Sequence, residues 1–248
     1  MKKVLLAGET WFVHTLHVKG FDHFTESSYG EGAQWLIEAL KEGGYEVNHV
    51  ANHKVVTDFP YTLEELKEYD AIILSDIGSN TLLLPESTFR RSKVNPNRCE
   101  LIKEYVLDGG AFLMIGGYMA FSGINGASRY EETAIQDILP VKCLGRDDRV
   151  ERPEGVTPEI VKADHEVFEG VDKNWPHFLG YNKTILKDDA TLLATIGGDP
   201  FIAVAEYGKG RTAAFTSDCA PHWGPPEFTD WEYYNKFWIN LVNWLTNK

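Results

Sequence analysis

Three short apolar runs constrain this chain more than anything else in it. They are Val4-Leu5-Leu6-Ala7-Gly8, the stretch from Ala71 to Leu74 between Asp70 and Ser75-Asp76, and Ala111 to Ile115. A strand with one wet face alternates apolar and polar residues, whereas a strand covered on both faces does not. Such runs fit a parallel sheet with helices on either side. The segments between them carry the helical period. Ala33, Leu36, Ile37 and Leu40 fall at i, i+3, i+4 and i+7, and Gly43-Gly44 supplies a C-terminal stop. Thr62-Leu63-Glu64-Glu65 is a capping box, and Asn95-Pro96 places a cap and a first-turn proline before Leu101, Ile102, Tyr105 and Val106. Tyr45 to Val50 is a further strand, and a long polar loop is expected from Glu9 to about Gly30.

The second half differs in texture. Ala134, Ile135, Ile138 and Leu139 predict a helix stopped by Pro140, and Val141 to Val161 predicts one or two strands with loops. Leu192 to Ile196 and Phe201 to Tyr207 predict strands, and Tyr207-Gly208-Lys209-Gly210-Arg211 turns into Thr212 to Thr216 as a hairpin. Thr229-Asp230-Trp231-Glu232 reads as a capping box for a last helix with an apolar stripe through Tyr234, Phe237, Trp238, Leu241, Val242 and Leu245. The expected fold is α/β. It is a flavodoxin-like three-layer α/β/α sandwich, mostly parallel with a late antiparallel hairpin, in one domain over residues 1–248.

Charge and cysteine usage exclude several function classes. Lys and Arg total 24 against 37 Asp and Glu, a net charge of −13. Nothing offsets phosphate repulsion, so nucleic acid is not an expected partner. The apolar run at Val4 stops at Gly8-Glu9, too short for a signal-peptide core, and no run approaches a membrane span. A cytoplasmic protein with reduced thiols follows. Cys99, Cys143 and Cys219 are too scattered for a disulfide framework or a zinc site.

Ligands of open α/β sheets bind at the carboxyl ends of the strands. The residues that follow each strand are therefore the candidates. They are Glu9 and His17 after the first strand, and Asp76, Gly78, Ser79 and Asn80 after the third. Gly117 and Tyr118 follow the fourth, and Asp218, His222 and Trp223 follow the late hairpin. Glu9 and Asp218 end buried strands, where desolvation raises a carboxyl pKa and suits acid–base work. Gly78 to Asn80 form a turn whose backbone donors suit an anion, and Trp223 suits stacking on a sugar. His14, His17 and His23 lie together in the sequence without matching a familiar metal spacing, so no metal and no cofactor are assigned. The block Asp147-Asp148-Arg149-Val150-Glu151-Arg152 reads as a solvated edge.

Ala111-Phe112-Leu113-Met114-Ile115-Gly116-Gly117-Tyr118 has the form of a nucleophile elbow, a strand running into small residues around one presented side chain. Together with Gly208-Lys209-Gly210-Arg211, Ala214 to Asp218, Pro221-His222-Trp223-Gly224 and the Trp238 to Leu245 tail, it resembles the putative glutamine amidotransferase-like family. The likeness to trehalose-utilisation-like proteins of the same fold group is looser. The resemblance implies the class I glutamine amidotransferase-like fold. Active members of that superfamily carry an elbow cysteine and a His-x-Glu pair. Here the matching positions hold Tyr118, Thr216 and Asp218. A phenol of pKa about 10 does not replace a thiolate.

Three functions follow. The first is a hydrolase acting on a small polar or sugar-like metabolite through Tyr118, Asp218, His222 and Glu9. The second is a non-catalytic ligand-binding or oligomeric scaffold protein, self-associating through the late hairpin or terminal helix. The third is a glutaminase that uses Cys219, three residues from His222.

Overall fold

The computed structural model describes residues 1–247. In chain order the strands are β1 (Lys3–Gly8), β2 (Thr10–Lys19), β3 (Asp22–Glu31), β4 (Glu46–Val50), β5 (Ala71–Ser75), β6 (Ala111–Ile115) and β7 (Val141–Lys142), then β8 (Arg149–Val156), β9 (Glu159–Ile160), β10 (Phe178–Asn182), β11 (Ile185–Leu186), β12 (Thr191–Ile196), β13 (Asp199–Tyr207) and β14 (Gly210–Phe215). The helices are α1 (Gln34–Glu42), α2 (Asn52–Asp58), α3 (Leu63–Leu66), α4 (Ser79–Leu83), α5 (Glu86–Arg91), α6 (Arg98–Leu107), α7 (Ile135–Ile138), α8 (Pro226–Thr229) and α9 (Tyr234–Thr246). The main sheet has eight strands in the order β4-β1-β5-β6-β14-β13-β12-β9. The first five run parallel, and β13, β12 and β9 continue it antiparallel. This is the expected three-layer α/β architecture with its late hairpin.

The period of two along each strand explains the unbroken apolar runs. Val4 and Leu6 point to one face, where they meet Leu36 and Leu40 of α1 and Trp238 and Leu241 of α9. Leu5 and Ala7 point to the other, where they meet Val55 of α2 and Ile102, Tyr105 and Val106 of α6. Both faces are dry, so β5 and β6, whose residues are all buried, are apolar up to Ser75 at the end of β5. Each fully buried aliphatic side chain contributes about 1.5–3 kcal/mol.

Three local readings need correction. The stretch from Glu9 to Gly30 is not a loop. It is a hairpin of β2 and β3 with ten cross-strand pairs from Thr10↔Glu31 to Lys19↔Asp22, turning at Gly20-Phe21. Asn95 does not cap α6. Asn97 does, accepting from the Cys99 and Glu100 N–H groups at 3.0 and 3.3 Å, while the Asn95 amide donates to Ser87 and Thr88 beside α5. Thr229 likewise ends α8 and caps nothing. The final helix starts at Tyr234 without a side-chain cap, and Trp231 packs on Trp175 and Tyr233 instead. Asn95 was thus claimed by contacts with α5, and Thr229 by its own turn, where its hydroxyl donates to the Pro226 oxygen.

Arg98 is a fully buried cation without a carboxylate partner in its contacts. Its guanidinium donates to three backbone carbonyls, Leu82 at 2.7 Å, Val55 at 2.8 Å and Thr81 at 2.8 Å, and lies 4.6 Å from the Tyr61 ring. It therefore ties α2, α4 and α6 together. Arg98→Ala is expected to cost about 3 kcal/mol by stranding those carbonyls. Arg98→Lys is expected to recover little, because an ammonium lacks the planar fork. Urea unfolding of the two variants measures this; a loss below about 1 kcal/mol for Arg98→Ala would refute the role.

Candidate functional site

The site is built where β1 and β5 end. Gly8 has φ +120, and a Cβ there would lie 1.7 Å from the Ser75 carbonyl oxygen, so the chain can leave β1 this close to β5 only through glycine. Glu9 follows in the left-handed region at φ +54, its N–H donating to the Ser75 oxygen at 3.1 Å. That turn folds the Glu9 carboxyl over the strand ends, where it accepts the Ser75 hydroxyl at 2.5 Å. Asp76 also adopts positive φ, at +44, and its carboxylate accepts the Met119 N–H at 2.7 Å. Asp218 arrives from the segment after β14. Its Oδ1 accepts the Ala220 N–H at 3.1 Å.

Three acids thus share one place. Glu9 is 2% exposed and Asp218 5% exposed, while Asp76 is half-buried. Burial is the main force on all of them. It pushes Glu9 up to about 8, with the nearby Asp76 charge adding to the effect. It holds Asp218 well above the usual carboxylate range, aided by Glu9 and Asp76. Asp76 is raised by burial too, but the Met119 N–H favours its ionised form. Like charges in a desolvated site cannot all ionise. The arrangement favours keeping protons in the cluster, and Asp76 is the member whose anion a backbone N–H supports.

The segment after β6 does not form the expected strand-to-helix elbow. It continues as an irregular stretch with two 3-10 turns before α7. The positive φ, +135, belongs to Gly117 and not to Tyr118. A Cβ on Gly117 would meet the Asp76 carboxylate at 2.6 Å. Two backbone donors here are already used. Gly117 N–H donates to Asn182 Oδ1 at 3.0 Å, and Met119 N–H is held by Asp76. The turn at Gly78 is also closed, because Ser79 N–H donates to the Ser128 oxygen at 3.1 Å. Asn80 points to solvent.

Tyr118 forms part of a wall at the mouth. Its hydroxyl donates to Glu151 Oε1 at 2.9 Å, Arg149 lies 4.8 Å from its ring, and His222 and Trp223 pack edge-on at 4.3 and 5.5 Å. Trp223 is buried and donates its indole N–H to Glu151 Oε2 at 3.0 Å, so it offers no free face to a sugar. His222 is exposed, 3.9 Å from Asp218, and burial on its packed side lowers its pKa. Cys219 is buried beside Glu9 and Asp218, and burial and those acids hold it as a thiol well above its usual range. Thr216, at the position of the family's histidine, donates its hydroxyl to the Pro200 oxygen at 2.8 Å.

Two groups of residues need reassignment. The block from Asp147 to Arg152 is not merely a solvated edge. Arg149 and Glu151 project from β8 onto Tyr118, and Asp148 is buried, accepting the Ser122 and Gly123 N–H groups and the Asn182 amide. The pairing of β8 with β10, Asn182 opposite Arg149, assembles this group. Alternation of Arg149 and Glu151 at i and i+2 was the available signal. His17 and its neighbours move the other way, out onto the hairpin. His17 pairs with Glu26 at 3.2 Å and stacks on Phe24, while His14 meets Ser27 at 2.8 Å. In a strand, His14 and His17 face opposite sides, so the three histidines do not converge.

Among the described residues, the set of donors that could close on a cation is Glu9, Asp218 and Cys219, whose ligand atoms lie within 4.8 Å of one another. A hollow of about 310 Å³ exists elsewhere, at the opposite ends of β5 and β6, lined by Tyr69, Asp70, Tyr105 and Asp108 among others. It holds no comparable set of acids. We therefore assign chemistry to the carboxyl ends, in accord with the general rule for open sheets.

Glu9 makes stability depend on pH. Below its ordinary value of 4.5 both folded and unfolded chains hold the proton; above it the unfolded chain releases it first. The folded state's advantage is therefore full in acid and is lost as pH rises through about 8. Asp218 acts in the same direction. Urea midpoints across this interval should fall less steeply in Glu9→Gln than in the native chain; equal slopes would remove Glu9 from the account.

The comparisons with known proteins agree with this fold. A family model described as "Putative glutamine amidotransferase" matches residues 3–247. Two solved structures titled cytoplasmic proteins of Salmonella typhimurium, STM3548 and STM1381, are 46% and 45% identical, each with TM-score 0.95. They cover 99% and 98% of this chain and 99% of their own. A ThuA-like protein from Bacteroides uniformis, 14% identical with TM-score 0.60, covers 100% of this chain and 92% of its own and shares the fold. No curated protein matches the sequence. Among the described residues, no helix is long and apolar enough to cross a membrane. With its whole length matched and its strand order that of the class, the chain belongs to the glutamine amidotransferase-like family.

Proposed function

We propose that this protein is a cytoplasmic acid–base hydrolase without glutaminase activity, acting on a small, polar, neutral or cationic metabolite of sugar-like class. The observation that carries the reading is the buried trio of acids, with Glu9 pushed up to about 8. Sites that hold one carboxyl protonated beside an ionised one are equipped to give and take a proton in one turnover. Glu9 is the general acid. Asp76, the most solvent-reached of the three and favoured as an anion by Met119, is the base that activates water. Asp218 sets the pair by holding a further proton. His222 and Tyr118 form the rim, where Arg149 and Glu151 fix the phenol and keep it from proton transfer. Cys219 is shielded and protonated, which speaks against a thiolate mechanism.

A second reading is a binding module that has lost catalysis. It is favoured by the occupied backbone donors at Gly117 and Met119, neither of which is free for an oxyanion. A panel of glycosides, amides and esters assayed with native protein and Glu9→Gln separates the two. The hydrolase reading expects turnover that falls about 10²–10⁴-fold in Glu9→Gln, with the variant still folded. Saturable binding without turnover would establish the module instead, and undiminished turnover in Glu9→Gln would refute the acid role.

A further inference from the structure

The hairpin of β2 and β3 stands outside both cores. Among the described residues no third strand joins it, and its side chains are exposed on both faces. A lone two-stranded ribbon is at best marginally stable in water. This one keeps an unbroken register over ten pairs and presents large apolar groups to solvent. Phe12, Leu16, Val18 and Tyr29 are between 46% and 66% exposed, and Phe21 at the tip is fully so. With Trp11, Val13 and Phe24, the exposed fractions amount to on the order of 800 Å² of apolar surface, at about 150–250 Å² per whole aromatic side chain. Monomers rarely leave such an edge uncovered.

The two faces differ. Cross-strand partners share a face, so Phe12 and Tyr29, His14 and Ser27, Leu16 and Thr25, and Val18 and His23 line one side. Glu31, opposite Thr10 at the root, lies on the same side and meets His49 at 3.5 Å; beyond it this side has no Lys, Arg, Asp or Glu. The other side carries Lys19, Asp22 and Glu26. The root is firmly held. Thr10 Oγ1 accepts the Asn52 N–H at 2.8 Å, Gly32 N–H donates to the Glu9 oxygen at 2.9 Å, and Phe12 and Tyr29 pack on His53 at 5.2 and 5.8 Å. The arm therefore projects in a set direction, which lowers the ordering cost of docking.

We propose that this arm is the contact between two copies of the chain, burying the outer part of its Phe12–Tyr29 side on the second copy. Two observations select that occupant. The chain carries a net charge of −13, so copies repel across most of their surfaces, and the outer part of this side, beyond Glu31, lets them approach. On this side Phe12, Leu16, Val18 and Tyr29, with Phe21 at the tip, expose on the order of 600 Å², and a two-fold contact using two such arms reaches the roughly 1,200 Å² lower bound of a stable interface. Since the arm begins at Thr10, directly after Glu9, pairing also braces the acid cluster.

Light scattering after size-exclusion chromatography tests this on the full chain. The native protein is expected at twice the chain mass or a higher multiple, and Leu16→Glu/Val18→Glu at the monomer mass with its far-UV spectrum retained. Hydrogen exchange on the native protein gives an independent reading that needs no variant. Amides of residues 10–31 should be protected at high concentration and lose protection on dilution while the main sheet does not. A monomeric native protein, an oligomeric double variant, or arm protection independent of dilution would overturn the proposal.

Discussion

The desolvation of three carboxyl groups at one end of the sheet governs the rest of this molecule. Glu9 and Asp218 lie almost wholly out of water beside Asp76, and burial pushes all three carboxyls up. Such a cluster survives folding only if protons remain in it, because the Coulomb and desolvation costs of further anions are not offset by any nearby cation in their contacts. The backbone is shaped to hold them together. Gly8, Glu9 and Asp76 all take positive φ, and the first can do so against Ser75 only without a side chain. The strained turns and the shared protons are two aspects of one arrangement.

Around this cluster the parts of an amidotransferase site have been put to other uses. The Gly117 and Met119 N–H groups after β6 are taken by Asn182 and Asp76. Tyr118 stands where the fold would carry a nucleophile, locked between Arg149, Glu151, His222 and Trp223. Thr216 is tied to Pro200. What stays free to exchange a proton is the carboxyl trio.

Much of this was legible in the residue order. Unbroken apolar runs such as Ala71 to Leu74 require cover on both faces, and that alone fixes parallel strands and two helical layers. Glu9, Asp76 and Asp218 could be named because they directly follow such runs. The arm could not be recognised by alternation, since neither of its faces is buried within the chain and the pattern of Trp11 to Val18 has no single wet side. Its aromatic and β-branched content was the remaining clue. The Asp147 to Arg152 block was misread for a related reason. Charges that bind inward, as Asp148 does to Ser122, Gly123 and Asn182, look the same in sequence as charges facing water.

The central claim is that the site holds a carboxylic proton at neutral pH. Infrared difference spectroscopy between the native protein and Glu9→Gln reads this directly. The account predicts a protonated-carboxyl stretch in the native protein at neutral pH that titrates away near pH 8 and is diminished in the variant. A native spectrum with only ionised carboxylates at neutral pH would contradict it.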